Sequence, residues 1–377
     1  MCKILYVGKF IPNEGAAGIH VYNIAQCLKG QGVEIVYVAY SKNSFKGSRI
    51  YDIRKPKGFI GNLKNVYDII TGCYEFDIFK NAIEKEHPNA VILYNTSNAI
   101  TKKAINYCRQ KNIRIIVENT EWYTITSMTS GLAGHLLTKS VDKRIRKTDK
   151  TADGVIVISK YLENHYIKQN VPTFNLPPLF SLENESVERI KFHPIRFIYA
   201  GSPGGKDILK PFVDSIIEHN RHNDCKAEFH IYGINLEQLS RITGYQINSE
   251  DGVFAHGRVS HDEVIKAVSN SHFTVLLRHN MRYAKAGYST KVAESLALGT
   301  PIVCNNIGGT DVDINDSETG FKINDCDTNT LSKLIKKVVE INEEDYFNMR
   351  RACINYAQKR YAAQNYSETL LNFILGK

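Results

Sequence analysis

Two clusters of residues in the 377-residue chain have the types and spacing to do chemistry. The first is Gly201-Ser202-Pro203-Gly204-Gly205-Lys206-Asp207, directly after the apolar run Ile195 to Ala200. Glycines and a lysine between a strand and a helix can wrap a phosphate with backbone N–H groups. The spacing is not that of a Walker A loop, which needs four residues between the first glycine and a Gly-Lys-Ser/Thr. The second cluster lies in SHFTVLLRHNMRYAKAGYSTKVAESLALGTPIVC, residues 271–304. Phe273 to Leu277 reads as a buried strand, Arg278 to Tyr288 as a loop broken by Gly287, and Ser289 or Thr290 as the cap of a helix. Gly299 stops that helix, and Pro301 leads into the strand Ile302 to Cys304. A loop at the carboxyl end of a parallel strand is where open α/β sheets place ligands. The positive end of the following helix favours a phosphate, and Lys291 and Arg282 add full charges. Glu294 lies one turn along, on the side of Thr290. A carboxylate there would repel phosphate, so hydroxyls are its natural ligand, and a ribose diol fits. Phosphate plus ribose implies a nucleoside diphosphate.

The stretch AGYSTKVAESLALGTPIV resembles the donor-site motif of the retaining GT-B glycosyltransferases of family 4, of the polysaccharide-assembly or group 1 type. That motif is Glu, seven residues, Glu. The second Glu matches Glu294, but Ala286 stands where the first belongs. The resemblance implies two doubly wound Rossmann-like domains facing a central cleft. It implies an acceptor domain over residues 1–178, a nucleotide-sugar domain over 179–360, and a terminal helix, 361–377, crossing back to the first. It assigns Lys206 to the donor diphosphate, although Ser202 replaces the arginine usual after Gly201. Lys206 and Lys291 are expected to stabilise the leaving diphosphate, with Gly201, Ser202, Arg282, Ser289, Thr290 and Glu294 around the donor. Arg258 and Val259, before the capping pair Ser260 and Glu263, fall at the nucleotide base. The glycine-rich loop holding Gly15 and Gly18 is similar to the family's amino-terminal loop. The implied reaction is metal-independent transfer with retention, from a UDP-sugar in preference to a GDP-sugar, to a lipid-linked or other saccharide in bacterial surface glycan assembly. The alternatives are a nucleotide-sugar epimerase of the same fold and a non-catalytic nucleotide binder, which Ala286 and Ser202 keep open.

Strands and helices must alternate to hold these loops. Lys3 to Gly8, a helix Ala17 to Lys29 and Val33 to Tyr40 form a βαβ opening. It lacks G-x-G-x-x-G and an acidic end to its second strand, which counts against a dinucleotide. Helices are expected at Asp77–Glu86 and Asn98–Lys111, strands at Ala90–Tyr94 and Ile113–Val117. The latter strand ends in Glu118-Asn119-Thr120-Glu121-Trp122. The resemblance implies that Glu118 or Glu121 accepts a hydrogen bond from a sugar hydroxyl or orients the acceptor; the alternative is that the two are capping or salt-bridged residues. Leu136 to Lys150 is expected as one helix with Lys139, Lys143, Arg146, Lys147 and Lys150 on a broad face that suits anionic lipid or a lipid-linked diphosphate acceptor, or is simply a solvated charged face. After Gly154–Ile158 and a helix to Gln169, the proline-rich stretch Val171 to Ser181 reads as the interdomain linker. His256 reads as a core histidine. Asp311-x-Asp313 reads as a loop or helix cap, and no metal site is expected.

Composition agrees with a globular enzyme: 43% hydrophobic and 23% charged residues. Eight scattered cysteines without a C-x-x-C pair suit a reducing cytoplasm. The amino terminus is too short for a signal peptide, and no apolar run approaches a membrane span. The net charge is +9, and all of it lies in the first half. Residues 1–190 hold 26 Lys/Arg against 17 Asp/Glu, and the remainder holds 22 of each. Anionic lipid, a lipid-linked diphosphate or nucleic acid could each explain that asymmetry, and so could a solubilising surface. The stretch Arg49 to Tyr67, where Arg54, Lys55, Lys57 and Lys64 interleave with Phe59, Ile60 and Leu63, fits a membrane face or a solvated loop equally well. Basic residues do not alternate with aromatic ones, so a nucleic-acid partner is not expected.

Overall fold

The computed structural model describes residues 2–40, 45–55, 59–124, 131–180 and 190–377. They form two compact units: Met1–Ser181 with Ala286–Tyr288 and Tyr361–Lys377, and Leu182–Lys285 with Ser289–Arg360. Each is built on one parallel sheet with helices on its faces.

In the first unit the strands are β1 (Lys3–Gly8), β2 (Glu34–Ala39), β3 (Ile50–Asp52), β4 (Ala90–Tyr94), β5 (Arg114–Asn119), β6 (Gly154–Val157) and β7 (Thr173–Asn175). Their order is β3-β2-β1-β4-β5-β6-β7. Every residue of β4 is buried, as is β1 after Lys3, which is why these runs are continuously apolar rather than alternating. In the second unit the strands are β8 (Ile195–Ala200), β9 (Ala227–Tyr232), β10 (Val253–Gly257), β11 (Phe273–Leu276), β12 (Ile302–Asn305) and β13 (Gly320–Ile323), in the order β10-β9-β8-β11-β12-β13. The chain leaves β8 toward β9 and later returns to β8's other side as β11, with Phe273 beside Phe197 and Thr274 beside Ile198. The strand order therefore reverses between β8 and β11. Phe197, Phe212, Phe229 and Phe273 fill the core beneath, with ring centroids 4.9–5.8 Å apart.

The sequence-level elements recur with four corrections. The first helix begins at Gly15, not Ala17, so Gly15 and Gly18 sit in its opening turn. Thr173–Asn175, inside the stretch expected to be linker, pairs with β6 as an edge strand. An edge strand tolerates flanking prolines because one side needs no donor. The loop after β11 contains a short helix, Arg282–Ala286. The expected helix Leu136–Lys150 ends at Lys143 and passes into a π-helical turn, Arg144–Thr148. That turn rotates Arg144 inward to full burial, against Asp149, Asn119 and the Thr96 carbonyl. Lys139, Lys143, Arg146, Lys147 and Lys150 all remain exposed.

The interleaved basic stretch is also corrected. Phe59–Thr71 is a helix, and Lys55 is drawn inward to pair with Asp68 at 2.7 Å and Glu75 at 3.3 Å. Arg54 is held by Asp52, while Lys57 lies outside the described residues. Among the described residues no helix is long and apolar enough to cross a membrane.

The terminal helix, Ser367–Leu375, belongs to the first unit. Leu370 and Ile374 join its core with Ile4, Ile92 and Ile116. Gly154 leaves room for it, since a Cβ there would stand 2.7 Å from the Phe373 ring. Leu370→Ala should therefore cost about 2–5 kcal/mol by opening a cavity under β1 and β4. Urea unfolding checks this, and an unchanged midpoint would mean that the helix is not part of that core.

Candidate functional site

The reversal between β8 and β11 brings together the carboxyl ends of two strands and the loops that follow them. Gly201 to Leu209 leaves β8, and Leu277 to Ser289 leaves β11 before the helix Thr290–Ala297. Gly201 has φ +146° and a Cβ on it would lie 2.5 Å from Lys291 Cε, so only a bare backbone lets Lys291 cross the end of β8. Gly233 backs it from β9: its own Cβ would meet the Gly201 carbonyl at 2.4 Å.

Asp207 is the centre of this junction. Its Oδ1 accepts from Arg278 Nε at 2.9 Å, and its Oδ2 from Lys291 Nζ at 2.8 Å and the Tyr199 hydroxyl at 2.7 Å. Burial alone would raise the Asp207 pKa, yet Lys291 and Arg278 hold it below the ordinary carboxylate value. Burial pulls the Lys291 ammonium down from its usual value, and Asp207 opposes the shift. Tyr199 is pushed up by burial and by Asp207. The Lys291 ammonium also lies 4.5 Å above the Tyr199 ring.

The other donor-loop residues surround this junction unevenly. Lys206 and Ser202 are exposed on the loop after β8. The loop is pinned from below by the Tyr283 hydroxyl, which donates to the Gly205 and Lys206 carbonyls at 3.2 Å. Ser289 stands at the N-cap position of the helix Thr290–Ala297, but its side chain makes no capping hydrogen bond, contrary to expectation. Thr290 opens the helix, half-buried, and Arg282 is half-buried on the short helix before it. Glu294 lies one turn along. Burial raises its pKa, while His261 and Lys291 act in the opposite direction. His261 opens the helix capped by Ser260 and Glu263, immediately after Arg258 and Val259, so the base-side loop and Glu294 are electrostatic neighbours.

His256 is not a core residue. It is exposed on β10, stacked on Tyr232 at 4.3 Å and on His230 at 5.2 Å. Neither carboxylate of Asp311-x-Asp313 is idle. Asp311 accepts from the Gly308 and Gly309 amides, and Asp313 from Tyr356 and Arg360. Among the described residues no group of three or more His, Cys, Asp or Glu side chains could hold a metal ion.

The first unit has its own buried polar centre. Glu118, 1% exposed at the end of β5, accepts from the Tyr6 hydroxyl and contacts His20 Nε2 at 2.6 Å. Burial and Glu118 together push the Tyr6 pKa well up. Glu118 is thus the buried, hydrogen-bonded carboxylate of its pair, and Glu121 is the exposed one. Gly18 is needed for packing, because a Cβ there would stand 1.9 Å from the Ile11 carbonyl. Gly15, with φ +61°, opens the same turn. Ala286 is fully buried against Trp122 and Ile145, and its carbonyl accepts from Ser159 Oγ at 2.7 Å. Trp122 is buried too, donating to Asp142 at 2.9 Å.

Sequence reasoning missed Asp207, Arg278, Tyr199 and His20. Their signals are slight: Asp207 directly follows the loop lysine, and Arg278 directly follows an apolar strand. Glu118→Ala should leave Tyr6 and His20 buried without their acceptor and cost about 1.5–3 kcal/mol. Chemical denaturation measures this, and undiminished stability would contradict the buried pairing.

Residues 213–360, within the second unit, match the family model for glycosyl transferases group 1. No curated protein matches the chain. Among solved structures it is similar to sucrose-phosphate synthase from Thermosynechococcus elongatus, with TM-score 0.70 and 14% identity over 99% of this chain and 98% of that one. Anabaena HepE in complex with UDP and glucose gives TM-score 0.68 and 11% identity over 100% of each chain. WaaG, a glycosyltransferase involved in lipopolysaccharide biosynthesis, gives TM-score 0.68 and 12% identity over 99% of this chain and 100% of that one. The shared architecture is GT-B: two α/β units, each on a parallel sheet.

Proposed function

We propose that this chain is a retaining family 4 glycosyltransferase that moves a sugar from a nucleoside-diphosphate sugar to a saccharide acceptor. The observation that carries this reading is the meeting of Gly201, Arg278 and Lys291 at the strand-order reversal of a group 1 glycosyltransferase domain. UDP is favoured as the nucleotide, because a solved neighbour holds UDP and UDP-glucose. In this reading Lys206, Lys291 and the start of the helix at Thr290 stabilise the diphosphate as it leaves. Those fixed charges do the work a metal ion would otherwise do, so transfer requires no metal. The leaving phosphate takes the acceptor proton, and no separate protein base is required.

Ribose hydroxyls fall to Glu294, and the base to Arg258 and Val259. Gly201 and Ser202 line the phosphate side, with Arg282 and Ser289 beyond them. Sugar and acceptor contacts in the first unit fall to Glu121, which is exposed, with Glu118 behind it holding His20 and Tyr6. Gly15 and Gly18 shape the turn in which His20's helix starts.

The acceptor in this reading is a lipid-linked saccharide of bacterial surface glycan assembly, met at the cytoplasmic face of the membrane. Exposed Lys139, Lys143, Arg146, Lys147 and Lys150 supply charge that attracts anionic lipid, each worth about 1 kcal/mol near such a surface. A neighbour named for lipopolysaccharide biosynthesis supports this class of acceptor.

A thermal-shift panel with UDP, GDP, ADP and their sugar conjugates tests the donor. A ligand at 100 times its Kd should stabilise the chain by about 2.7 kcal/mol. Glu294→Ala should weaken binding of the preferred nucleotide about 10- to 100-fold, as loss of charged hydrogen bonds does, and leave the ligand-free Tm near that of wild type. Unchanged affinity would remove Glu294 from the ribose. Charge reversal of Lys143, Lys147 and Lys150 should abolish sedimentation with vesicles of anionic lipid. Sedimentation that survives would remove this face from the membrane.

A further inference from the structure

Asp207, Arg278 and Lys291 form a cluster with one more positive charge than its buried carboxylate needs. A single carboxylate in the interior calls for one cation, and here two converge on it. Their exposures are ordered. The Asp207 side chain is 3% exposed, Arg278 13% and Lys291 21%, so both cations lie outward of the carboxylate and screen it. Arg278 is also fixed through its backbone. Its N–H donates to Asn305 Oδ1 at 2.8 Å, and its carbonyl accepts from Asn305 Nδ2 at 2.8 Å. The guanidinium spends Nε on Asp207, and among the described residues none accepts from its two terminal nitrogens. A guanidinium held at Nε with its fork unspent is preorganised for a planar or tetrahedral oxyanion.

We propose that Arg278 is a diphosphate-binding residue that takes the place of the arginine missing at Ser202, and that Asp207 is the positioning residue that fixes both Arg278 and Lys291. The inference rests on the donor reading above and adds to it the two residues that shape the phosphate end. The cation that the loop after β8 does not supply comes instead from the end of β11, across the strand-order reversal. Burial disfavours the Lys291 ammonium, and Asp207, in contact at 2.8 Å, opposes that shift. The groups that act on Lys291 are Asp207 and Glu294, which favour its charge, and Arg278, which opposes it.

The experiment is calorimetric titration of the full chain with whichever of UDP, GDP or ADP binds wild type tightest, and with the corresponding nucleoside. Arg278→Gln should lose about 10- to 100-fold in affinity for the diphosphate and bind the nucleoside as wild type does. Arg278→Lys should recover part of the loss, since it restores charge without the fork. Asp207→Asn removes the charge that favours the Lys291 ammonium. The diphosphate affinity of that variant should therefore fall at a lower pH than in wild type as pH rises. Diphosphate affinity in Arg278→Gln equal to wild type, at unchanged Tm, would overturn the inference alone. Equal loss of nucleoside and diphosphate would also overturn it, by making Arg278 merely structural. A wild-type chain that binds none of the three diphosphates would overturn the donor reading together with the inference. Should Asp207→Asn fail to fold, the two Arg278 variants decide the matter.

Discussion

A buried carboxylate is costly unless charge and hydrogen bonds surround it, and Asp207 meets that demand with residues from three separate places. Tyr199 comes from within β8, Arg278 from the end of β11 and Lys291 from the helix after the second loop. Each is held in turn by the fold: Tyr199 by burial in the core, Arg278 by Asn305 of β12, Lys291 by the bare backbone of Gly201. Removing Asp207 would leave two cations facing each other with little water to separate them. The arrangement thus couples the loops at the strand-order reversal, where a doubly wound sheet offers room for a ligand. Positive charge ends up outermost, and an anionic ligand fits it better than a neutral one.

The first unit solves a similar problem differently. Glu118 is satisfied by Tyr6 from β1 and His20 from the opening helix, all inside one unit. The π-helical turn at Arg144 does the same one residue further along β5, where Arg144, Asp149 and Tyr166 meet Asn119. Consecutive residues at the end of one strand are therefore locked from opposite sides. A rigid strand end leaves Glu121 and its loop as the part exposed to solvent, which is the physical reason to seek acceptor contacts there rather than at Glu118.

Much of this was legible from local pattern. Continuous apolar runs located most of the strands, Ser260 with Glu263 announced a capping box that the structure forms, and glycine marked the turn at Gly201. What escaped was decided by partners distant in sequence. Arg278 and Asp207 are 71 residues apart, and no spacing rule joins them. His256 looked like a core residue because β10 is short and apolar, yet β10 is an edge strand and its polar face stays open. Lys55 lies in a basic stretch whose composition fits a membrane face or a solvated loop, but Asp68 and Glu75 arrive from later helices to bury it. The helix through Lys139 and Lys150 kept its exposed basic residues while changing its winding, since burying Arg144 required a π-helical turn that composition does not encode. Local propensity sets the elements, and long-range ion pairing sets the site.

The central claim is that a nucleoside diphosphate binds where β8 and β11 diverge. Crystals of the chain grown with UDP test it most directly. Density for the diphosphate is expected against Gly201, Arg278 and Lys291, with the ribose hydroxyls at Glu294. UDP bound elsewhere on the chain, or a junction left empty at saturating UDP while Asp207 keeps both cations, would contradict it.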